Sequence, residues 1–226
     1  MISCWHQLEA TLDGKSSISD REYLDAFERT RRMFLRVQER DFSYSYLPHD
    51  WIAFTTDSRA KRALFEKVLP TVQRFTSVRW PACHVYGGLK SDESIEKKLS
   101  KNWSDRVVFD LWDVVRFRIV APNLRTLLDI SLAIWDDCFD QVGRCRNYYY
   151  RPRNGPEDPY RAIHFELLQM GRPVELQIMS TFREAICQFD HRIILKKMLP
   201  FLSAEHEMWL RSLSKSANVL EVRSLI

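Results

Sequence analysis

The 226-residue chain carries 34 Lys and Arg against 30 Asp and Glu, a formal charge of +4, with 45% hydrophobic and 28% charged residues. That composition excludes a disordered, collagen-like or membrane-spanning chain, and the small positive excess hints at phosphate-bearing partners without establishing one. Five widely spaced cysteines (Cys4, Cys83, Cys138, Cys145 and Cys187) with no CxxC pair exclude a zinc site of ordinary spacing and predict a reduced, cytoplasmic protein.

The N-terminal stretch MISCWHQLEATLDGK lacks a basic start followed by an apolar core, so no signal peptide is expected, and no apolar run reaches membrane-span length. Ser19 and Glu22 form a capping box ahead of an amphipathic helix over about 20–40, with Leu24, Phe27, Phe34 and Val37 as its stripe. A second helix carries Leu64, Val68, Val72 and Phe75, and Pro70 should kink or split it. VYGG at 85–88 reads as a strand end running into a turn, and Ser94–Leu99 as the start of a helix. RVVFDLWDVVRFRIV at 106–120 is the strongest strand signal, with Val115, Phe117 and Ile119 on one face and Arg116, Arg118 and Val120 on the other. Asn123 caps a helix through Leu127, Leu128, Ile130 and Ile134. HFELLQ, the turn MGRP and VELQI form a hairpin. Thr181 and Glu184 make a second capping box for a helix with Ile186, Phe189, Ile193 and Ile194, and Ser203 caps a last helix through Trp209, Leu210 and Leu213. The predicted class is α+β, a mixed sheet with helices packed on it: a helical extension over 1–80, a core over 81–198 and a helical tail over 199–226.

Four stretches could carry chemistry. In GGLKSDESIEKKL (87–99) a glycine turn precedes Lys90, while Ser94 and Lys98 share a helix face; this suits a triphosphate, and it also suits a solvated basic helix. It is not a Walker P-loop. Asp113 beside VVRFRIV is either a magnesium ligand or the partner of Arg116 or Arg118. In VELQI, Glu175 and Gln177 share a face opposite Val174, Leu176 and Ile178, which matters only if that face looks into a pocket. Residues 144–161 hold Arg144, Arg146, Arg151, Arg153 and Arg161 among Tyr148, Tyr149, Tyr150 and Tyr160, a pairing of guanidinium and ring that suits a nucleotide or an irregular basic loop.

In this order the four stretches resemble the synthetase domain of the RelA/SpoT family. Gly87, Lys90, Ser94, Ile95 and Lys98 match its first motif, G-R-x-K-x-x-x-S-I-x-x-K. Asp113 and Arg118 match an aspartate followed five residues later by arginine. Arg146, Asn147, Tyr148, Pro152 and Arg153, then Tyr160, Ile163 and His164, match K-D-Y-x-x-x-P-K-x-N-G-Y-x-S-x-H, and Val174–Ile178 matches V-E-I-Q-I. His191 stands where the family often has a histidine on the next helix.

The resemblance implies a nucleotidyltransferase-like core and a small stand-alone alarmone synthetase, a group that includes toxic members. The expected enzyme is a Mg²⁺-dependent pyrophosphokinase moving the pyrophosphate of ATP to the 3′-hydroxyl of GDP or GTP. Asp113 and Glu175 would be catalytic and bind Mg²⁺, with Glu175 also drawing the proton from the attacking hydroxyl. Lys90, Ser94 and Lys98 would hold the ATP phosphates, with Arg116 or Arg118 at adenine. Arg146, Arg153, Tyr160, His164 and Gln177 would bind the acceptor, Tyr160 by stacking on its base and Gln177 as an orienting rather than a catalytic residue. Three departures stand out: Gly88 in place of an arginine, Met179 in place of an arginine, and the insert Pro156–Pro159 before Tyr160. They keep two alternatives open. One is a toxin that pyrophosphorylates the 3′-CCA end of tRNA along a basic track (Lys61, Arg62, Lys67, Arg74, Lys196 and Lys197) and is held by a cognate antitoxin. The other is a non-catalytic nucleotide sensor. The helical ends would serve oligomerisation, regulation or docking.

Overall fold

The computed structural model describes residues 18–41, 51–101, 108–138, 142–190 and 203–225. One six-stranded sheet runs in the order β1-β4-β5-β6-β3-β2. Its strands are β1 (Arg40–Asp41), β2 (His84–Leu89), β3 (Val115–Ala121), β4 (Val142–Asn147), β5 (Ile163–Gln169) and β6 (Arg172–Ser180). Neighbours are antiparallel except β3 and β6, which are parallel. The helices are α1 (Asp20–Phe34), α2 (Trp51–Thr56), α3 (Ser58–Arg79), α4 (Asp92–Lys101), α5 (Leu124–Asp137), α6 (Thr181–Asp190) and α7 (Ser203–Arg223). The α+β class expected from the sequence is the class observed.

One apolar cluster joins the inward residues of the sheet (Val115, Phe117, Ile119, Phe165, Leu176, Ile178) to α1, α3 and α5. The strand alternation read around β3 therefore holds, because Val115, Phe117 and Ile119 are all buried on one side. Its strand is shorter than expected: a 3₁₀ turn, Val108–Val114, precedes it and carries Asp113. The hairpin is also as read, closed by Met170 (φ 54°) and Gly171 (φ 71°). Consecutive positive φ values give the turn that matches strand twist.

Several local expectations are corrected. Ser19 does cap α1, accepting from the Glu22 amide at 3.2 Å, yet the Glu22 carboxylate bonds Arg223 of α7 instead of closing the box. Leu24 is 51% exposed; Tyr23, Ala26 and Phe27 face the core. Pro70 does not divide α3, which is anchored by Asp57 at its N-terminus and by the buried Leu64 and Val68. The Gly87-Gly88 pair lies within β2 rather than in a turn. A Cβ at Gly87 would stand 2.7 Å from the Arg116 carbonyl and 2.8 Å from Phe65 and Phe117, so glycine there permits close packing. Asn123 caps α5 as expected, accepting from the Thr126 amide at 2.9 Å. Thr181, by contrast, does not cap α6: Ser180 Oγ accepts from the Arg183 amide at 3.2 Å, while Thr181 donates to the Ala121 carbonyl at 3.1 Å. Asn147 is structural, donating to the Phe34 and Val37 carbonyls at 2.9 and 2.8 Å and so fixing the end of α1 on β4. His191, Ile193, Ile194, Lys196 and Lys197 lie outside the described residues. Among the described residues no helix is long and apolar enough to cross a membrane.

Candidate active site

Strand register sets two rows of polar side chains across the face of the sheet opposite the core. One row runs Arg144, Glu166, Glu175, Arg116, Gly88; the next runs Arg146, His164, Gln177, Arg118, Tyr86. Cross-strand partners share a face, so each row places its side chains edge to edge. Apart from Gly88 and Tyr86 they floor a cleft of about 660 Å³, with Asp113 and Lys98 on one wall and Tyr148, Arg153, Asn154 and Tyr160 on the other. The polar face of VELQI thus looks into a pocket.

At the first wall, Asp113 sits at φ −86°, ψ 18°, in the bridge region between helix and strand. Both of its oxygens are engaged: Lys90 Nζ donates to Oδ2, and Lys98 Nζ to Oδ1 at 3.1 Å. Its partners are these two lysines, rather than Arg116 or Arg118. Burial pushes the Lys90 ammonium below the usual lysine range, against the opposing pull of Asp113. Ser94 stands apart from the cleft lining; it is exposed in the first turn of α4, where its hydroxyl and amide both bond the Ser91 hydroxyl.

On the floor, Glu175 is buried and bonded at both oxygens, to His164 Nδ1 at 2.9 Å and to Gln177 Nε2 at 2.7 Å. Burial alone would raise its carboxyl, but His164, Gln177 and Arg116 outweigh that and hold it down to about 2. His164 Nε2 meets the Tyr160 hydroxyl at 2.5 Å. Arg118 lines the cleft floor with its guanidinium bonded to Gln177 and Glu184.

Tyr160 is half-buried, with Tyr148 edge-on at 5.8 Å and the Arg153 guanidinium over both rings, 4.4 Å from the Tyr148 centroid and 5.3 Å from that of Tyr160. The insert that delivers it is tightly held. Asp158 is buried, and its carboxylate accepts from the Asn154 and Tyr160 amides at 2.9 and 2.8 Å. Its carbonyl accepts from Ser214 of α7 at 3.0 Å, and the Pro159 carbonyl accepts from the buried Arg183 at 3.3 Å. Arg161, buried as well, donates to the Pro156 and Tyr160 carbonyls. Glu157 pairs with Lys215 at 3.1 Å and lies near Arg211 at 3.9 Å. The insert's acids are therefore neutralised by loop amides and by α7.

The arginine-rich stretch divides. Arg144, Arg146 and Arg153 line the cleft, Arg144 largely buried against Glu166 at 3.2 Å, whereas Arg161 is buried in the loop and exposed Arg151 pairs with Glu39 at 3.1 Å. Lys61 also leaves the proposed basic track, because it is 2% exposed and paired with Asp92. Arg62, Lys67 and Arg74 are exposed on α3. Sequence reading took Glu184 for a helix cap and missed its bonds to Arg118 and Tyr86. It also left Arg116 as an alternative to Arg118 at adenine, although β3 alternation already put the two on one face.

The sheet order, the parallel pair β6–β3 and the cleft lined by carboxylates and cations define an α+β fold with a charged, open site on one sheet face. More particularly, the chain has the fold of the small alarmone synthetases. Small alarmone synthetase 1 from Bacillus subtilis, bound to its product pppGpp, superposes with a TM-score of 0.58 at 16% identity, over 78% of this chain and 95% of that one. Small alarmone synthetase 2 from Bacillus subtilis gives 0.58 at 18%, over 75% and 96%. A GTP pyrophosphokinase family protein from Streptococcus pneumoniae gives 0.57 at 15%, over 79% and 92%. No family model matches the chain, and no curated protein matches it in sequence.

Proposed function

We propose that this chain is a Mg²⁺-dependent pyrophosphokinase that transfers the pyrophosphate of ATP to the 3′-hydroxyl of a guanine nucleotide. The observation that carries the reading is the pairing, in one cleft, of the carboxylates Asp113 and Glu175 with Lys98, Arg116, Arg146 and Arg153. Phosphoryl transfer asks for charge neutralisation and in-line placement rather than covalent help, and this set supplies both. The product-bound relative on the same fold supports a guanine acceptor.

Mg²⁺ takes hard oxygen ligands and is usually held by one or two carboxylates plus substrate phosphates. Asp113 and Glu175 fit that pattern. The described residues hold no group of three or more His, Cys, Asp or Glu able to cage a metal alone, so substrate oxygens would complete the shell. When bound, the ion offsets the negative charge of the transferring group. Glu175, held down to about 2, is ionised throughout the physiological range and suits this task. The same low value makes it a weak base. It orients the attacking hydroxyl and accepts its proton late in a loose transition state, as the new oxygen–phosphorus bond forms at the β-phosphorus of ATP and AMP leaves with the electrons of the broken bridging bond.

Lys90 and Lys98 hold Asp113 until phosphate arrives, and Lys98, 43% exposed, turns to the polyphosphate. Arg153 exchanges its ring contacts for acceptor phosphate, and Tyr160 offers its uncovered ring to the base. His164 ties the Tyr160 hydroxyl to Glu175, fixing the distance between base and reacting hydroxyl.

The test is transfer of label from γ-labelled ATP to GDP, GTP, ATP or deacylated tRNA with Mg²⁺. Label on a guanine nucleotide is expected. Label on tRNA alone would replace the acceptor while keeping the chemistry, and folded protein that labels nothing would leave the sensor reading in place.

A further inference from the structure

Arg118 and Glu184 are among the most thoroughly engaged charges in the described residues. The Glu184 side chain is 7% exposed and that of Arg118 19%. Glu184 Oε2 accepts from Arg118 at 2.7 Å, and Oε1 accepts from Gln188 at 2.7 Å and from the Tyr86 hydroxyl. The other two guanidinium nitrogens of Arg118 both donate to Gln177 Oε1, Nε at 3.0 Å and Nη2 at 2.6 Å.

The direction of this chain follows from donor chemistry. Guanidinium has donors only, so Gln177 must turn its oxygen toward Arg118. Its NH₂ group is then forced to the other side, where it donates to Glu175 Oε2 at 2.7 Å. His164 holds the second Glu175 oxygen. The carboxylate is gripped from two sides, and one grip originates on α6.

Stability does not require this arrangement. A buried ion pair replaced by well-packed apolar groups is often neutral or stabilising. The first turn of α6 lowers the cost of the Glu184 charge, since a helix N-terminus favours an anion. What the pair provides that an apolar pair would not is a fixed amide orientation at Gln177.

We propose that Glu184 is a positioning residue for pyrophosphate transfer: it holds Arg118, which orients the Gln177 amide, which holds the Glu175 carboxylate toward the cleft. The inference rests on the pyrophosphokinase reading, and it moves Arg118 from the expected ATP contact to the support of Glu175.

The experiment compares Glu184→Ala, Glu184→Gln, Tyr86→Phe and Arg118→Lys in the full chain. Loss of such an outer partner typically lowers activity 10–100-fold, so Glu184→Ala and Arg118→Lys should lose roughly that much kcat with KM for ATP nearly unchanged. Glu184→Gln keeps an acceptor oxygen for Arg118 and should recover most of the loss. Tyr86→Phe removes one donor from Glu184 without opening the core, gives a smaller drop of the same kind, and stands in should Glu184→Ala fail to fold. A raised KM for ATP with kcat preserved in Arg118→Lys would return Arg118 to ATP and overturn the inference.

A second readout needs no activity. The Gln177 side-chain amide protons, followed by NMR, should be protected from exchange in the wild type and lose protection in Glu184→Ala or, more weakly, in Tyr86→Phe. Unchanged protection would overturn the inference. Wild-type protein that transfers no label would overturn the pyrophosphokinase reading instead, and the amide signals would still decide whether Glu184 orients Gln177.

Discussion

At one wall of the cleft, Asp113 on its short turn is shared by two lysines, Lys90 just after β2 and Lys98 within α4, the latter 43% exposed. On the floor, Glu175, Gln177 and His164 are buried on adjacent strands and joined end to end by directional hydrogen bonds. The first arrangement is charge against charge, tolerant of angle and open to solvent, so it can be rebuilt around an entering polyphosphate. The second is set by donors and acceptors in a strand register and can only be kept or broken. On the pyrophosphokinase reading, the wall would serve capture and the floor alignment.

The largest effect should come from breaking the floor. Glu175→Gln is expected to lower label transfer by roughly 10²–10³-fold or more while far-UV circular dichroism stays unchanged. The same variant should alter acid stability. The Glu175 carboxyl is depressed to about 2 in the folded protein, so its stabilising contribution is complete above the unfolded carboxylate range near 4.5 and is lost as pH falls toward 2. Urea unfolding across that window should show a flatter pH dependence in Glu175→Gln. Wild-type slope in the variant would mean that the carboxylate is not held as described.

A smaller effect is expected at the second wall. Tyr160→Ala should weaken acceptor binding by ~1–3 kcal/mol with the KM for ATP little changed, measured by varying each substrate in turn. Gly87→Ala should destabilise by about 1–3 kcal/mol, because its Cβ meets backbone and two rings. Gly88→Ala, which meets nothing within 4 Å, should stay within about 0.5 kcal/mol in thermal melts. Smallest of all, Glu157→Gln loosens half-exposed pairs to Lys215 and Arg211 and should cost ~0–1 kcal/mol, fading with added salt.

Much of this was legible in the chain itself. Alternation around Phe117, the Met170-Gly171 turn and the Asn123 cap are local signals, and local chemistry decides them. The collinear motifs brought Lys90, Lys98, Asp113, Arg146, Arg153, Tyr160, His164, Glu175 and Gln177 to one region because strand order and register carry them there. What failed was partner choice. Arg144 and Arg161 read as surface cations because nothing nearby in sequence announces Glu166 across β5 or the carbonyls of the insert. Glu184 read as a cap because Thr181-x-x-Glu184 is a local pattern, while its donors, Arg118, Tyr86 and Gln188, lie mostly on distant strands. The insert Pro156–Pro159 read only as a departure from the family pattern because α7, which neutralises Glu157, arrives more than fifty residues later.

The parallel pairing of β3 with β6 also bears on when the protein becomes competent during its own synthesis. Asp113 and Glu175 come together only after the ribosome has released Ser180, and the acceptor loop finds its brace only after Ser214 and Lys215 have emerged. Contacts of such long sequence separation form late. A nascent chain still lacking α7 would carry the lysines of the first wall and could retain a polyphosphate, yet it would have no fixed place for the acceptor. On the pyrophosphokinase reading, transfer would therefore wait until α7 has emerged.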